Sequence, residues 1–502
     1  MRVAHAGLVP VVFVMALVAG VAAAESDLRL IDAVRQGDTE AVRALVGEQA
    51  DVNARQPDGA TALHWAAYLD DLEAAELLLG AGARPDAANE LGATPLYLAC
   101  ENGNSALVRR LLEAGANPHA ALASGETALM TAARTGATEA VAALLAHGAD
   151  VDARETTEGQ TALMWAASQR HPEVVRELLA AGADVHARSS VRSVATASSP
   201  RTGAAEGVSV IDEGGFTPLL FAARQGDLSS ARLLVAAGAD VNDTPPSGTS
   251  ALVVAAHSGH GELAAWLLEK GADPNAAKAG YAPVHAAILR GDADLASALL
   301  ARGADPDARL ENGSPHARYG KFYALEMRLT GATPYFLAAK YAEADIMRHL
   351  AAAGADTAQG LAGGVTPLMA AAGMLTPGFI QAGNDRRGRA IDTAEMELAL
   401  SQNPDQRSFM NSGIEAVKAA VELGADVNAA NDDGDTALHL AAHHGFSTVV
   451  SYLVSKGADV NAANARGHTP LDRAKGVGRV PARSVVGETT TADLLRELGA
   501  RD

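Results

Sequence analysis

The amino-acid sequence predicts an all-α solenoid: a stack of about twelve short helical hairpins, interrupted by three insertions. The first observation is a recurring opening, seen as Thr-Ala-Leu-His-Leu-Ala-Ala at Thr436. The second is its spacing, because several successive openings lie 33 residues apart. The third is a composition with only 4% aromatic residues, which suits thin, closely stacked helices. The openings begin at Thr61, Thr94, Thr127, Thr161, Thr217, Ser250, Ala282, Thr333, Thr366, Thr436 and Thr469.

One unit, residues 436–461, illustrates the local pattern. Thr436 can cap a helix by accepting a hydrogen bond from a free backbone N–H group. Leu438, Ala441 and Ala442 then share one helix face, and a second apolar stripe begins at Val449. A glycine follows the second helix, in the left-handed position that often ends one. Two helices of this length cannot bury an apolar face alone, so each unit must stack on its neighbours.

A repeat of this length with a Thr-Pro-Leu-His-x-Ala core resembles the ankyrin-repeat family, from about Leu28 to the C-terminus. The resemblance implies helical hairpins joined by finger turns. It also implies that the histidine of the core, here His64, His285 and His439, fixes the loops by hydrogen bonding. Proteins of the family bind partners through the finger tips and the concave surface of the inner helices.

On this resemblance, the contact residues of the concave surface are the two positions that follow each Ala-Ala pair. Their side chains differ from repeat to repeat while the frame stays constant, as a binding surface requires. Unconstrained solvent positions would vary as well, so both interpretations stay open. The positions are Tyr68, Leu69, Glu101, Asn102, Arg134, Thr135, Ser168, Gln169, Arg224, Gln225, His257, Ser258, Lys340, Tyr341, His443 and His444.

The N-terminal residues 1–24 have the features of a signal peptide: an early arginine, an uncharged apolar run and small residues before Glu25. An uncleaved anchor is the alternative. We expect an exported bacterial protein, periplasmic or secreted. A degenerate first repeat from Leu28 and a last helix from Thr491 to Leu498 are expected to cap the array, because their outer faces meet water.

Breaks in the period divide the chain into repeats 28–187, 214–310 and 330–502. Insertion 188–213 is rich in Ser, Ala, Thr and Gly, which predicts a flexible loop. Insertion 311–329 carries Tyr319, Phe322 and Tyr323, which we expect to anchor a protein partner. Alternatively, these rings pack onto their own repeat. Insertion 374–411, between the two helices of one repeat, is locally basic and could take an anionic ligand or be a solvated loop.

The composition excludes several classes of function. A net charge of −20 repels nucleic-acid phosphates and anionic lipid headgroups, so neither is an expected partner. The single cysteine, Cys100, permits no internal disulfide and is expected to be buried. His439 and His443 have a zinc-compatible spacing, but His439 holds the loop-fixing position. No catalytic, phosphate-binding or dinucleotide motif is present, so we expect no cofactor and no metal.

The sequence therefore predicts a monomeric, non-enzymatic scaffold that binds a protein partner through its concave face and finger loops. A rigid, preorganised surface of this kind loses little conformational entropy on binding. Two alternatives stay open. One is an enzyme or ligand site built by insertion 374–411 against adjacent repeats, and the other is a purely structural spacer.

Overall fold

The computed structural model describes residues 28–197, 208–311, 329–373, 406–476 and 490–501. They form an all-α ankyrin solenoid in which a short inner helix pairs with an outer helix in each hairpin. The contacts divide the chain into two compact units, described here separately. The N-terminal unit comprises residues up to 194 together with 212–240, and the C-terminal unit comprises residues from 241 onward with 195–211.

The N-terminal unit contains six hairpins among its described residues. Inner helices α3, α5, α7, α9 and α11 pack side by side in sequence order, and so do the outer helices α2 to α12. The helices are α1 Arg29–Gln36, α2 Thr39–Gly47, α3 Ala62–Tyr68, α4 Leu72–Gly80, α5 Pro95–Asn102, α6 Ser105–Glu113, α7 Ala128–Thr135, α8 Thr138–Ala146, α9 Ala162–Gln169, α10 Pro172–Ala180, α11 Pro218–Gln225 and α12 Leu228–Ala236.

The C-terminal unit also contains six hairpins within its described ranges, with inner helices against inner and outer against outer. Its helices are α13 Ala251–Ser258, α14 Gly261–Glu269, α15 Pro283–Arg290, α16 Ala293–Ala301, α17 Pro334–Lys340, α18 Ala344–Ala352, α19 Pro367–Gly373, α20 Gln406–Glu422, α21 Ala437–His443, α22 Ser447–Ser455, α23 Pro470–Ala474 and α24 Thr491–Glu497.

The recurring opening sets the start of each inner helix. In α5 the Thr94 side chain accepts a hydrogen bond from the backbone N–H of Tyr97, and proline occupies the first helical position. Proline suits that position because its missing N–H would have no intrahelical partner. Behind the caps, Leu63, Leu78 and Leu96 are buried and form the interior of each hairpin. Burial of one such leucine stabilises the fold by about 1.5–3 kcal/mol.

Two insertions differ from the simple loops that their composition suggests. Residues at both ends of insertion 188–213 form paired strands, β1 Val191–Ala197 and β2 Val208–Gly214. Both strands contain three β-branched residues, which a count over the whole insertion does not register and which favour this local pairing. In insertion 374–411, helix α20 already begins at Gln406, and residues 374–405 lie outside the described residues.

Candidate functional site

Each core histidine joins its inner helix to the next hairpin, as the resemblance implies. The Nδ1 atom of His64 accepts from the backbone N–H of Thr61 at 3.1 Å, so its proton lies on Nε2. Nε2 then donates to the carbonyl of Ala93, 3.0 Å away and 29 residues further along. His439 makes the equivalent bonds to Thr436 and to His468, also 29 residues further along. His285 accepts from Ala282 in the same way, but its Nε2 donates to the carbonyl of Ala308, 23 residues further along and earlier in the finger turn. Burial lowers the pKa of both His64 and His285 to about 4, which keeps these rings neutral at pH 7.

The finger turns are joined by a ladder of short polar side chains. The Oδ1 atom of Asn53 accepts from the backbone N–H of Arg84 in the next turn, at 2.8 Å. Its Nδ2 atom donates to the carbonyl of Gly82 at 3.1 Å. Asn275 and Asn428 repeat both bonds in the C-terminal unit. These bonds satisfy backbone groups of the turns and hold the fingers at a fixed spacing, which makes the surface rigid.

Some positions chosen as contact residues also serve the frame. Asn102 Nδ2 donates to the carbonyls of Ala67 and Tyr68 at the end of α3. Thr135 Oγ1 donates to the carbonyl of Cys100 at 3.2 Å in the same way. The variation of these residues between repeats therefore reflects alternative ways of capping a neighbouring helix as well as surface exposure.

Tyr68 and Leu69 form an exposed apolar pair at the end of α3. Each is 44% exposed, and the only other exposed large hydrophobic residues in the described parts of the chain are Leu91 and Val191. The Tyr68 ring meets the Trp65 ring edge to face, with centroids 5.7 Å apart. The Arg35 guanidinium lies 4.8 Å from the Trp65 centroid. Leu69 also lines an open depression of about 520 Å³ between the first two hairpin turns.

Next to this pair, two carboxylates share one guanidinium. Arg134 Nη2 lies 3.6 Å from Glu101 Oε1 and 3.9 Å from Glu126 Oε1. Burial raises the pKa of Glu101, an effect that Arg134 opposes and Glu126 reinforces. The Arg134 guanidinium also lies 5.9 Å from the centroid of the Trp165 ring. We call Tyr68, Leu69, Glu101, Glu126 and Arg134 the aromatic–acidic strip; Trp65, which is 6% exposed, lies beneath it in contact with Tyr68.

The remaining predicted contact residues fall into three groups. Gln169 and Arg224 are exposed and Gln225 is half-buried, so all three are accessible at the ends of α9 and α11. His257, Lys340 and Tyr341 are buried in the C-terminal unit, where their exposed fractions are 1%, 9% and 5%. Because they are buried, these three residues cannot contact a partner. The sequence prediction missed their burial because position along the repeat does not reveal what packs over a side chain. Tyr319, Phe322 and Tyr323 lie outside the described residues.

The described residues contain no group of three or more His, Cys, Asp or Glu side chains that could hold a metal ion. Cys100 is buried, as expected, and burial raises the pKa of its thiol well above the usual range. None of the helices in the described ranges is long and apolar enough to cross a membrane. The strip combines hydrogen-bonding, charged and aromatic groups on one surface.

Comparisons with known proteins agree with this architecture. A family model described as "Ankyrin repeats (3 copies)" matches residues 30–121, 107–189, 219–309 and 408–481, and a second, "Ankyrin repeats (many copies)", matches 163–235. The Notch-regulated ankyrin repeat-containing proteins of Xenopus tropicalis and Homo sapiens are each 44% identical over 61 residues, which is 12% of this chain and 49% of theirs. The chain thus spans about half the length of the curated relatives it matches.

Among solved structures, the human ASB11 ankyrin repeat domain matches with 29% sequence identity and a TM-score of 0.37. The match covers 45% of this chain and 90% of that chain.

Proposed function

Because the chain belongs to the ankyrin-repeat family, we propose that it is a non-enzymatic scaffold that binds a protein partner through its concave face and finger loops. The exposed pair Tyr68 and Leu69 carries this proposal. Large apolar side chains at the ends of rigid helices resemble the anchors that dominate protein interfaces. We assign the main contact to the aromatic–acidic strip, with Gln169, Arg224 and Gln225 extending it along the same unit.

The rigidity of the frame supports the proposal. The His64 bonds, the Asn53 ladder and the Asn102 cap fix the strip before any partner arrives. A preorganised surface avoids much of the cost of ordering side chains and loops during association. Substitution of contact residues on such a surface changes which partner binds and leaves the fold unchanged.

The proposal includes export. Residues 1–24 lie outside the described residues, and the sequence pattern alone supports removal of a signal peptide and function in a bacterial periplasm or outside the cell. Expression of the full chain in a bacterial host, followed by cell fractionation and N-terminal sequencing, tests this part. A chain that stays in the cytoplasm with its N-terminus intact contradicts it.

The binding test is affinity capture from a periplasmic extract with the immobilised chain and two double variants. Tyr68→Ala/Leu69→Ala removes the apolar pair, whereas Arg43→Ala/Glu73→Ala removes an exposed ion pair between outer helices. We expect the first variant to weaken partner retention at least about tenfold, since two truncated anchors that each cost about 1 kcal/mol or more together exceed the ~1.4 kcal/mol that corresponds to a factor of ten. The control should retain the partner. Equal loss from both variants, or from neither, contradicts the assigned surface.

A further inference from the structure

The charges around the strip do not balance. Among the residues that the structure describes, five carboxylates lie on or beside it, and the guanidinium groups that contact its residues or the Trp65 ring are those of Arg35 and Arg134. Arg35 lies 3.7 Å from one of these carboxylates and Arg134 contacts two of them. The carboxylates are those of Asp32, Asp70, Asp71, Glu101 and Glu126.

The remaining carboxylates are held in place by the frame. Asp70 Oδ1 accepts from Asn104 Nδ2 at 2.5 Å, and Asp71 Oδ1 caps α4 by accepting from the backbone N–H of Ala74. Each of these bonds uses one oxygen of its carboxylate. Both residues line the depression, together with Leu69, Leu72 and Arg35, so fixed carboxylates lie beside apolar side chains there. An arginine or lysine side chain matches this pattern, since its stem is apolar and its head is cationic.

The aromatic rings also favour a cationic ligand. Trp65 already has one guanidinium near its face, and Trp165 has another at 5.9 Å. A cation over an aromatic face is stabilised by about 0.5–1 kcal/mol at exposed sites and more where water is excluded. The half-buried setting of Glu101 and Glu126 also weakens the screening of their charge by water.

We infer that the partner presents an extended, basic segment to the aromatic–acidic strip, with arginine or lysine side chains about three residues apart. This inference rests on the proposed function and specifies the partner's chemistry. The spacing follows from the stack. Packed helices lie about 8–10 Å apart, and an extended chain in the polyproline II conformation advances about 3.1 Å per residue with three residues per turn, which puts every third side chain on the same face. Every third side chain of such a segment therefore meets the end of the next inner helix.

The test uses two synthetic peptides of identical shape. The first is acetyl-Arg-Ala-Leu-Arg-Ala-Leu-Arg-amide, and the second replaces each arginine with citrulline, which keeps the planar group but removes the charge. The full chain is labelled with 5-fluorotryptophan, and its three tryptophans give separate fluorine signals. We expect the arginine peptide to shift the signals of Trp65 and Trp165 but not that of Trp266, which lies on outer helix α14.

We expect the citrulline peptide to bind at least about tenfold more weakly at low salt, with the difference shrinking as salt shortens the range of the charges. Asp70→Asn/Glu101→Gln should weaken binding of the arginine peptide at least about tenfold. The matched control, Glu73→Gln/Glu139→Gln, removes two exposed charges on outer helices and should change binding less than about twofold. Far-ultraviolet circular dichroism checks that both variants fold.

Several outcomes would overturn the inference. If both peptides shift Trp65 equally, the strip binds peptides without responding to charge, and the proposed function stands while the inference fails. If the control variant weakens binding as much as the strip variant, the overall negative charge is responsible. If neither peptide binds, the inference fails, and the capture experiment still decides the proposed function independently.

Discussion

Acid should destabilise this protein through its loop-fixing histidines, and His64 allows the effect to be calculated. In the folded chain burial lowers its pKa from 6.5 to about 4. The unfolded chain therefore binds a proton at this ring between pH 6.5 and 4, whereas the folded chain does not. The stability conferred by the neutral ring is complete above pH 6.5 and is lost as the pH falls towards 4. Linkage gives a loss of about 2 kcal/mol between pH 7 and pH 5 from this one group.

The test substitution is His64→Gln, whose free energy of unfolding is measured by urea denaturation at several pH values between 7 and 4. At pH 7 the variant should be less stable by about 2 kcal/mol, because the glutamine reproduces the two buried hydrogen bonds incompletely. At pH 5 the wild-type chain has lost a similar amount through protonation of its unfolded state. The difference between the two proteins should therefore shrink almost to zero.

The matched control is Leu78→Ala in the same hairpin, which removes buried apolar volume and no titrating group. Its cost of about 2–5 kcal/mol should stay constant across the same pH range. If the deficit of His64→Gln also stays constant from pH 7 to pH 5, the assigned protonation state of His64 is wrong. His285, whose pKa is also lowered to about 4, should behave alike in the C-terminal unit.

Three further substitutions test the frame by thermal and urea unfolding. Asp152 accepts one hydrogen bond of the finger ladder, so Asp152→Asn should add a donor to the next turn and stabilise the fold by about 0.5–1 kcal/mol. The reverse change, Asn275→Asp, should destabilise the fold by about as much. Equal effects of the two substitutions would refute the ladder. Ala342 has a left-handed φ of 59°, so Ala342→Gly should stabilise the fold by about 1 kcal/mol, whereas Gly103→Ala, at another left-handed position, should destabilise it. A lower stability of Ala342→Gly would contradict the assigned backbone strain. The buried Tyr335 hydroxyl has no hydrogen-bond partner among the described residues, so Tyr335→Phe should stabilise by about 1 kcal/mol, and a lower unfolding midpoint would show that the hydroxyl is satisfied.

The repeat architecture could be predicted because its signals are local and recur. The opening at Thr94 contains its own cap, and the spacing from one opening to the next fixes which helices become neighbours. The role of His64 followed from the family resemblance and is confirmed by its bonds to Thr61 and Ala93. The burial of Cys100 was equally predictable, because sister repeats place alanine at that position.

The site was less predictable because exposure depends on what packs over each side chain. His257 and Tyr68 occupy equivalent positions in their repeats, yet Tyr68 is exposed and His257 packs against Tyr281. Asn102, a predicted contact residue, also caps the preceding helix, a role that the sequence pattern does not indicate. Glu101 lies one repeat period before Arg134, so the repeat pattern makes those two residues neighbours. Glu126 lies only 8 positions before Arg134, and the repeat pattern gives no rule for that second ion pair.

Hydrogen exchange on the captured complex tests the central claim most directly. The account predicts that partner binding slows exchange in the turns that follow α3 and α5, residues 68–72 and 102–105, and leaves the outer helices of the N-terminal unit unchanged. Protection confined to the outer helices, or to the C-terminal unit, would contradict the assignment of recognition to the aromatic–acidic strip.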